Sequence, residues 1–337
     1  MSEFLILKSA EEARAILADF LPVGKEVVGL AEAGGRVLAA DVTAPEDVPA
    51  FPRATMDGYA VRARDLYGAS EGAPAYLKVA YQVAMGARPE RPLAPGEAAA
   101  ISTGGMLPDG ADAVVMVEWT QPVRPGEIEA LRPVAPGENV IRPGEDVPRG
   151  RHVLREGQRL RPQDVGLCAA LGLPRVPVFA RPRVHILSTG NELVAPADVP
   201  APGQVRDVNQ YALAAAAGRA GAVATLSGVI ADEPGQLRAA VGAAAQRADL
   251  TLLSGGSSLG VRDLTAEVLG AFGDILFHGI SVRPGKPTIL ARSRRGAPLV
   301  GMPGPPLSAL VIFDVFIRPL LARLGGETAY QSFPARV

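Results

Sequence analysis

The chain has a single cysteine, Cys168, which excludes an intrachain disulfide and any cysteine-rich metal site. It sits inside Val165-Gly166-Leu167-Cys168-Ala169-Ala170-Leu171, where a small buried hydrophobe is the expected role. Such cysteine usage makes the cytoplasm the default compartment. An excess of one charge is also missing. Lys and Arg number 34 against 35 Asp and Glu, for a net charge of −1, whereas a general nucleic-acid binder would carry a basic excess. Long hydrophobic runs are absent too. The first fourteen residues carry Glu3, Glu11 and Glu12 around no extended apolar core, so they do not read as a signal peptide. The most apolar late stretch, 307–321, is broken by Asp314 and Arg318 and reads as a globular helix, so no membrane span is expected. Lysine is scarce, with four (Lys8, Lys25, Lys78 and Lys286) against thirty arginines. Arginine and lysine differ most where a compact point charge meets a phosphate, so Lys286, the only lysine after Lys78, draws notice. No Walker A glycine–lysine loop is present, which disfavours an ordinary P-loop NTPase.

What is present is a chain of 337 residues, 48% of them hydrophobic, enough for two or three domains with real cores. Ser9-Ala10-Glu11-Glu12 fits a capping box, and Ala13, Ile16, Leu17 and Phe20 fall on one helical face. Pro-Gly-Glu then recurs at Pro95, Pro125, Pro136 and Pro143. Pro followed by Gly suits the centre of a type II turn, because Pro presets φ and Gly accepts φ > 0. Short apolar runs between such turns predict a β-rich domain over about 46–140. Phe51-Pro52-Arg53-Ala54-Thr55-Met56-Asp57-Gly58-Tyr59-Ala60-Val61 in that half reads, on residue physics alone, as an Asp-Gly turn between strands. Pro162 opens a helix through Leu171.

From Val184 onward strands alternate with helices. Strands are expected at 184–188, 223–230, 250–254 and 298–301. Helices are expected from Asp207 to Ala220, from an Asp232 cap to Ala248, from Asp263 and from Pro306. The pattern predicts an α/β multidomain protein. It has a three-layer α/β/α domain with a mainly parallel sheet over 179–326, an inserted β-rich domain over 46–140, and an elongated linking domain from 1–45 and 141–178. A tail, 327–337, follows.

Ligands of such sheets bind at the carboxyl ends of the strands, so the loops there carry the search. They hold Ser188-Thr189-Gly190-Asn191-Glu192-Leu193, Asp232-Glu233-Pro234, Ser254-Gly255-Gly256-Ser257-Ser258, Ser281-Val282-Arg283-Pro284-Gly285-Lys286-Pro287, and Gly301-Met302-Pro303-Gly304-Pro305-Pro306. Singly, each reads as a turn or a cap; for Asp232 before Glu233-Pro234 the cap reading is strong. Together they make a phosphate site. Gly255 and Gly256 let backbone N–H groups approach an anion, serine hydroxyls add donors, and Arg283 and Lys286 neutralise charge. Glu192, Asp232 and Asp263 would repel that anion unless a cation bridges them, which suits Mg²⁺.

The chain resembles the molybdopterin molybdenumtransferases, a family that includes the E domain of gephyrin. The resemblance rests on Thr55-Met56-Asp57-Gly58-Tyr59-Ala60-Val61, then in order Ile101-Ser102-Thr103-Gly104, Ala113-Val114-Val115-Met116-Val117-Glu118, Gly144-Glu145-Asp146, Ser188-Thr189-Gly190-Asn191-Glu192-Leu193, Ser254-Gly255-Gly256-Ser257, Arg283-Pro284-Gly285-Lys286-Pro287 and Met302-Pro303-Gly304-Pro305-Pro306. It implies that molybdate and adenylylated molybdopterin are converted, with Mg²⁺ or a similar ion, to molybdenum cofactor and AMP. It implies functional roles for Asp57, Thr103, Asp146, Glu192, Asp232, Asp263, Lys286, Pro303 and Pro306. Glu192, Asp232 and Asp263 would organise the metal. Thr189, Gly190, Ser254, Gly255, Gly256, Ser257 and Arg283 would bind the nucleotide side, and Asp57 and Thr103 would face the pterin and molybdate. It also implies a homodimer with a composite active site, and a molybdopterin adenylyltransferase as the upstream partner.

Arg283 stands where the family usually has lysine, and Pro305 where it usually has asparagine. The small C-terminal β domain usual in the family does not follow before Val337. Two other readings are a molybdopterin adenylyltransferase and a non-catalytic binding or scaffold protein. The Thr55 to Val61 stretch argues against the first, and retention of Asp57, Glu192, Asp232, Asp263 and Lys286 against the second. Molybdate and tungstate, near-equal in size and charge, stay open.

Overall fold

The computed structural model describes residues 7–255 and 259–328, with no account of the side chains of 259–263. The chain divides into two compact units, Val42–Val153 and Met1–Asp41 with Leu154–Val337.

The first unit is built on a six-stranded sheet from β1 (Gly58–Val61), β2 (Ala75–Gln82), β3 (Glu97–Ile101), β4 (Ala113–Met116), β5 (Thr120–Arg124) and β6 (Glu127–Ala130), in the order β4-β1-β3-β2-β6-β5. Only β2 and β3 pair in parallel. The Pro-Gly-Glu turns behave as their chemistry demands: Gly96, Gly126, Gly137 and Gly144 have φ of +74°, +77°, +85° and +70°. The Asp57-Gly58 pair does not form the expected turn between strands. Gly58 is the first residue of β1, paired with Ile101 and Met116, and a Cβ there would overlap the carbonyl oxygen of Val115. Close backbone approach, not positive φ, is what requires glycine here.

In the second unit the N-terminal helix α1 (Ala10–Leu17) forms as its sequence indicates. Ser9 Oγ accepts from Glu12 N at 3.1 Å, and Glu12 Oε2 accepts from Ser9 N at 2.7 Å. Helix α2 (Pro162–Ala170) starts at its proline. The main sheet contains β7 (Arg183–Thr189), β8 (Val223–Ile230), β9 (Leu250–Gly255), β10 (Gly273–His278), β11 (Ile289–Ser293) and β12 (Pro298–Met302), in the order β8-β7-β9-β12-β11-β10. The first four strands of that order run parallel, and β11 is the reversed strand, antiparallel to both β12 and β10. Strands β10 and β11 were not anticipated, because 273–278 and 289–293 lie on either side of a Pro-Gly-Lys-Pro turn and carry no alternating helix.

Period-two alternation sends neighbouring residues to opposite faces and makes the three layers. Ile186, Leu252 and Val300 join one core with Leu213 and Ala217 of α3 (Asn209–Arg219) and with Phe316. Leu187, Leu253 and Leu299 join the other with Leu237 and Val241 of α4 (Pro234–Arg247) and Leu269 of α5 (Leu259–Phe272). Phe277 and Phe316 meet edge-to-face at 5.5 Å between centroids, an arrangement worth about 1 kcal/mol beyond area burial. The last helical run begins with α6 (Pro306–Ile312) and passes through a π turn, Phe313–Ile317, just before Pro319, which cannot donate to the ladder.

Three helix starts differ from expectation: α4 begins at Pro234 with Glu233, not Asp232, as its N-cap. Helix α3 begins at Asn209 rather than Asp207, since Asp207 is buried and taken up by side-chain bonds. Helix α5 is described from Leu259 on, which puts Asp263 within it rather than at its start.

Candidate functional site

The parallel strands end together. Thr189 at the end of β7 pairs with Gly255 at the end of β9, and Ser254 pairs with Met302 on β12. Around these ends lies a pocket of about 250 Å³, lined by Thr189, Glu192, Leu193, Val205, Arg206, Asp207, Val208, Asn209, Ser254, Gly255, Gly304, Pro305 and Pro306. Antiparallel pairing of Ile289 with Gly301 brings the loop between β10 and β11, with Arg283 and Lys286, to the same edge. Both side chains are exposed, and neither lines the pocket.

The floor is a network of short polar contacts. Ser254 is 1% exposed, and its Oγ accepts from Asn209 Nδ2 at 2.7 Å. The same Nδ2 donates to the carbonyl oxygen of Gly304 at 2.7 Å. Asp207, 4% exposed, accepts from Ser188 Oγ at 3.0 Å and from Gln210 Nε2 at 2.6 Å. Gln210 Oε1 in turn accepts from Gly228 N at 3.0 Å, which ties β8 to the pocket wall. Gly255 has φ +133°, and an added Cβ would overlap the carbonyl oxygen of Thr189, so only glycine fits where the two strand ends close up.

Asp232 does not cap its helix. Glu233 occupies the N-cap position of α4 with no side-chain cap bond. Asp232 Oδ1 instead accepts from Thr189 Oγ1 at 2.6 Å, while Asp232 N donates to Asn191 Oδ1 at 3.2 Å. The carboxylate is thereby turned toward the pocket-lining end of β7. The Glu192 carboxylate folds back over Gly190, where an added Cβ would stand 2.9 Å from Oε2. Among the described residues no group of three or more His, Cys, Asp or Glu side chains stands close enough to hold a metal ion.

The β-rich unit carries its own polar cluster. Asp57 Oδ1 accepts from Thr103 N at 2.7 Å and from Thr103 Oγ1 at 2.9 Å. These bonds, the backbone one foremost, hold the Asp57 carboxyl below its usual range. Arg53 Nη2 approaches Asp146 Oδ2 at 3.5 Å.

Two family models match the chain: the MoeA N-terminal region (domain I and II) over residues 8–172, and a probable molybdopterin binding domain over residues 185–323. A molybdopterin molybdenumtransferase 2 of Mycobacterium tuberculosis (strain CDC 1551 / Oshkosh) is 38% identical over 325 residues, covering 94% of this chain and 79% of that protein. The chain belongs to the molybdopterin molybdenumtransferase family. A molybdopterin molybdenumtransferase of Nostoc is 38% identical over 304 residues, 89% of this chain and 70% of the relative. The crystal structure of a molybdopterin biosynthesis MoeA protein from Pyrococcus horikosii superposes with a TM-score of 0.82 at 41% identity, covering 95% of this chain and 81% of that one.

For a molybdenumtransferase-family chain, the expected residues fall into two groups. Thr189, Glu192, Ser254, Gly255 and Pro306 line one pocket, and Asp232 joins them through Thr189. Pro303 is buried in the adjoining loop and Gly190 underlies Glu192. Asp57, Thr103 and Asp146 lie in the other unit. Gly256 and Ser257, and the side chain of Asp263, are outside the described residues. Sequence reasoning gives Ser188 no role beyond the strand-end motif, takes Asp207 only as a helix start and passes over Asn209 and Gln210. The available signal is the stretch Asp207-Val208-Asn209-Gln210, three polar residues ahead of an otherwise alanine-rich helix. Among the described residues no helix is long and apolar enough to cross a membrane.

Proposed function

We propose that this chain is a molybdopterin molybdenumtransferase: it inserts molybdenum from molybdate into adenylylated molybdopterin and releases AMP and molybdenum cofactor. The observation that carries the reading is the pocket at the strand ends, where Gly255, Ser254 and Thr189 stand with Glu192 and Asp232 beside them. The buried Ser254 hydroxyl at the end of β9 would orient a phosphoryl group there. Arg283 and Lys286, on the loop at the same edge, would neutralise its charge.

Glu192 and Asp232 suit Mg²⁺. Asp232 commits one carboxylate oxygen to Thr189, so a second hard oxygen is left for a cation, and Glu192 adds another. Two carboxylates leave most of an octahedral shell to phosphoryl and water oxygens, which is how nucleotide-bound Mg²⁺ is usually held. Bound there, the ion would screen a dianion approaching a pyrophosphate. In the β-rich unit, Thr103 fixes Asp57 in its ionised form. We assign the Asp57 and Thr103 cluster, with Asp146, to the pterin and molybdate side.

The reading includes a cytoplasmic homodimer whose active site draws residues from both subunits, fed by a molybdopterin adenylyltransferase. Purified chain incubated with adenylylated molybdopterin, molybdate and Mg²⁺ should release AMP as cofactor forms. Tight binding without AMP release would favour a scaffold role instead. Asp57→Ala at wild-type rate would remove the β-rich unit from the reaction. Activity regained on mixing Asp57→Ala with Lys286→Ala subunits would support the shared site.

A further inference from the structure

Asn209 carries a side-chain amide whose orientation is decided by its surroundings. Its Nδ2 faces two oxygens at 2.7 Å each, Ser254 Oγ and the carbonyl oxygen of Gly304. A carbonyl oxygen only accepts, so the amide nitrogen must be the atom that meets Gly304; the flipped amide would set oxygen against oxygen. With the amide so fixed, its second hydrogen points at Ser254, and Ser254 Oγ must accept. The serine hydroxyl proton is then free to point elsewhere. Among the described residues no acceptor takes it.

The arrangement has a cost that identifies its purpose. Asn209 is 8% exposed, and its Oδ1 is buried without any hydrogen-bond partner. Leaving an amide oxygen unmet costs about 1–3 kcal/mol, and such groups in folded proteins call for an explanation. A chain selected for stability alone would place an apolar side chain here, or a serine whose own proton met the carbonyl of Gly304. Asn209 instead spends both donors, forgoes its acceptor, and sets the polarity of Ser254. Asn209, Ser254 and Gly304 all line the pocket.

We propose that Asn209 is a positioning residue that makes Ser254 an obligate hydrogen-bond donor to an anionic phosphoryl oxygen in this pocket. The proposal rests on the reading of the pocket as the nucleotide site. Asn209 acts through Ser254 and through the Gly304 loop. Its amide pins the end of β9 to the loop after β12, two pocket-lining segments 50 residues apart in sequence.

The test is calorimetric titration of the full chain with AMP, with inorganic pyrophosphate and with adenosine. Ser254→Ala and Asn209→Ala should each weaken AMP and pyrophosphate about tenfold, the value of one good hydrogen bond to a charged acceptor. The double variant should lose about the same tenfold rather than a hundredfold, because the second change removes nothing the first has left. Adenosine, which lacks the phosphoryl oxygens, should bind each variant as it binds wild type; a merely structural role for Asn209 would weaken it in parallel. Asn209→Asp, which gives Ser254 an acceptor and turns its proton inward, should lose AMP affinity even where Asn209→Ala does not fold. Unchanged AMP affinity in Ser254→Ala, additive losses in the double variant, or equal losses for adenosine would each overturn the proposal while leaving the pocket a nucleotide site. Failure of wild type to bind either AMP or pyrophosphate would overturn the nucleotide reading and the proposal with it.

Discussion

One carboxylate oxygen of Asp57 takes both hydrogen-bond donors of Thr103, the backbone N–H at 2.7 Å and the hydroxyl at 2.9 Å, across 46 residues of chain. The pair ties the segment ahead of β1 to the turn after β3. It also keeps an exposed carboxylate ionised, with the backbone bond the larger cause and the side-chain bond the next. Thr103→Val deletes only the smaller of the two. The Asp57 pKa should therefore rise in Thr103→Val yet remain below the ordinary carboxylate value, as followed by NMR titration of the Asp57 side-chain carboxyl. A value at or above the ordinary one would show that the hydroxyl, not the peptide N–H, sets the charge.

The same pair fixes the direction of a pH effect. A folded-state pKa below the unfolded one means that the unfolded chain binds more protons in the window between them. The stability contributed by the Asp57 clamp is thus fully present above the ordinary carboxylate value of 3.8 and is lost as pH falls through the lowered folded value. Acid unfolding of wild type and Asp57→Asn should converge at the low end of that window and separate above it. Parallel curves at every pH would mean that the clamp does not couple to folding.

Thr189→Val tests the link between the strand end and Asp232. Valine keeps the shape of threonine and removes the donor at 2.6 Å from Asp232 Oδ1. Loss of that bond should cost about 1–2 kcal/mol of stability. If Asp232 must be held in place for turnover, AMP release should fall about tenfold. Thr189→Ser, which restores the hydroxyl, should recover most of both. A Thr189→Val variant with wild-type AMP release would remove Asp232 orientation from the reaction.

How much of this was legible beforehand varied with the range of the interactions. The capping box at Ser9 and Glu12, the four Pro-Gly-Glu turns and the individual apolar strands are local, and residue chemistry over a few positions specifies them. Gly255 reads from sequence as a glycine that lets an anion approach the backbone, whereas the contact that requires glycine there is the carbonyl oxygen of Thr189 on the neighbouring strand. Asp232 misled, since an acid two residues before Pro234 matches a cap, and only the distant Thr189 shows that its carboxylate is engaged elsewhere. Gly58 misled in the same way, because Asp-Gly signals a turn while the neighbour that forbids a Cβ is Val115. Asn209 and Asp207 were missed because their partners, Ser254, Gly304 and Ser188, come from other strands and loops.

Asp207 shows how much the pocket floor depends on such nonlocal bonds. Its carboxylate accepts from Ser188 Oγ and Gln210 Nε2, and Gln210 Oε1 accepts from Gly228 N on β8. Removing the carboxylate strands three buried donors, Ser188 Oγ, Gln210 Nε2 and Gln210 N, and loosens the edge strand together with the helix start. Asp207→Ala should therefore lose about 2–4 kcal/mol in chemical denaturation, more than one hydrogen bond accounts for. Asp207→Asn keeps one acceptor but turns a second donor toward either Ser188 or Gln210. Serine can answer by rotating its hydroxyl, whereas the Gln210 amide is held by Gly228, so the asparagine should set its oxygen toward Gln210 and cost only about 1 kcal/mol. Asp207→Asn in a Gln210→Leu background should then cost almost nothing. Equal loss in both backgrounds would show that Asp207 serves Ser188 alone.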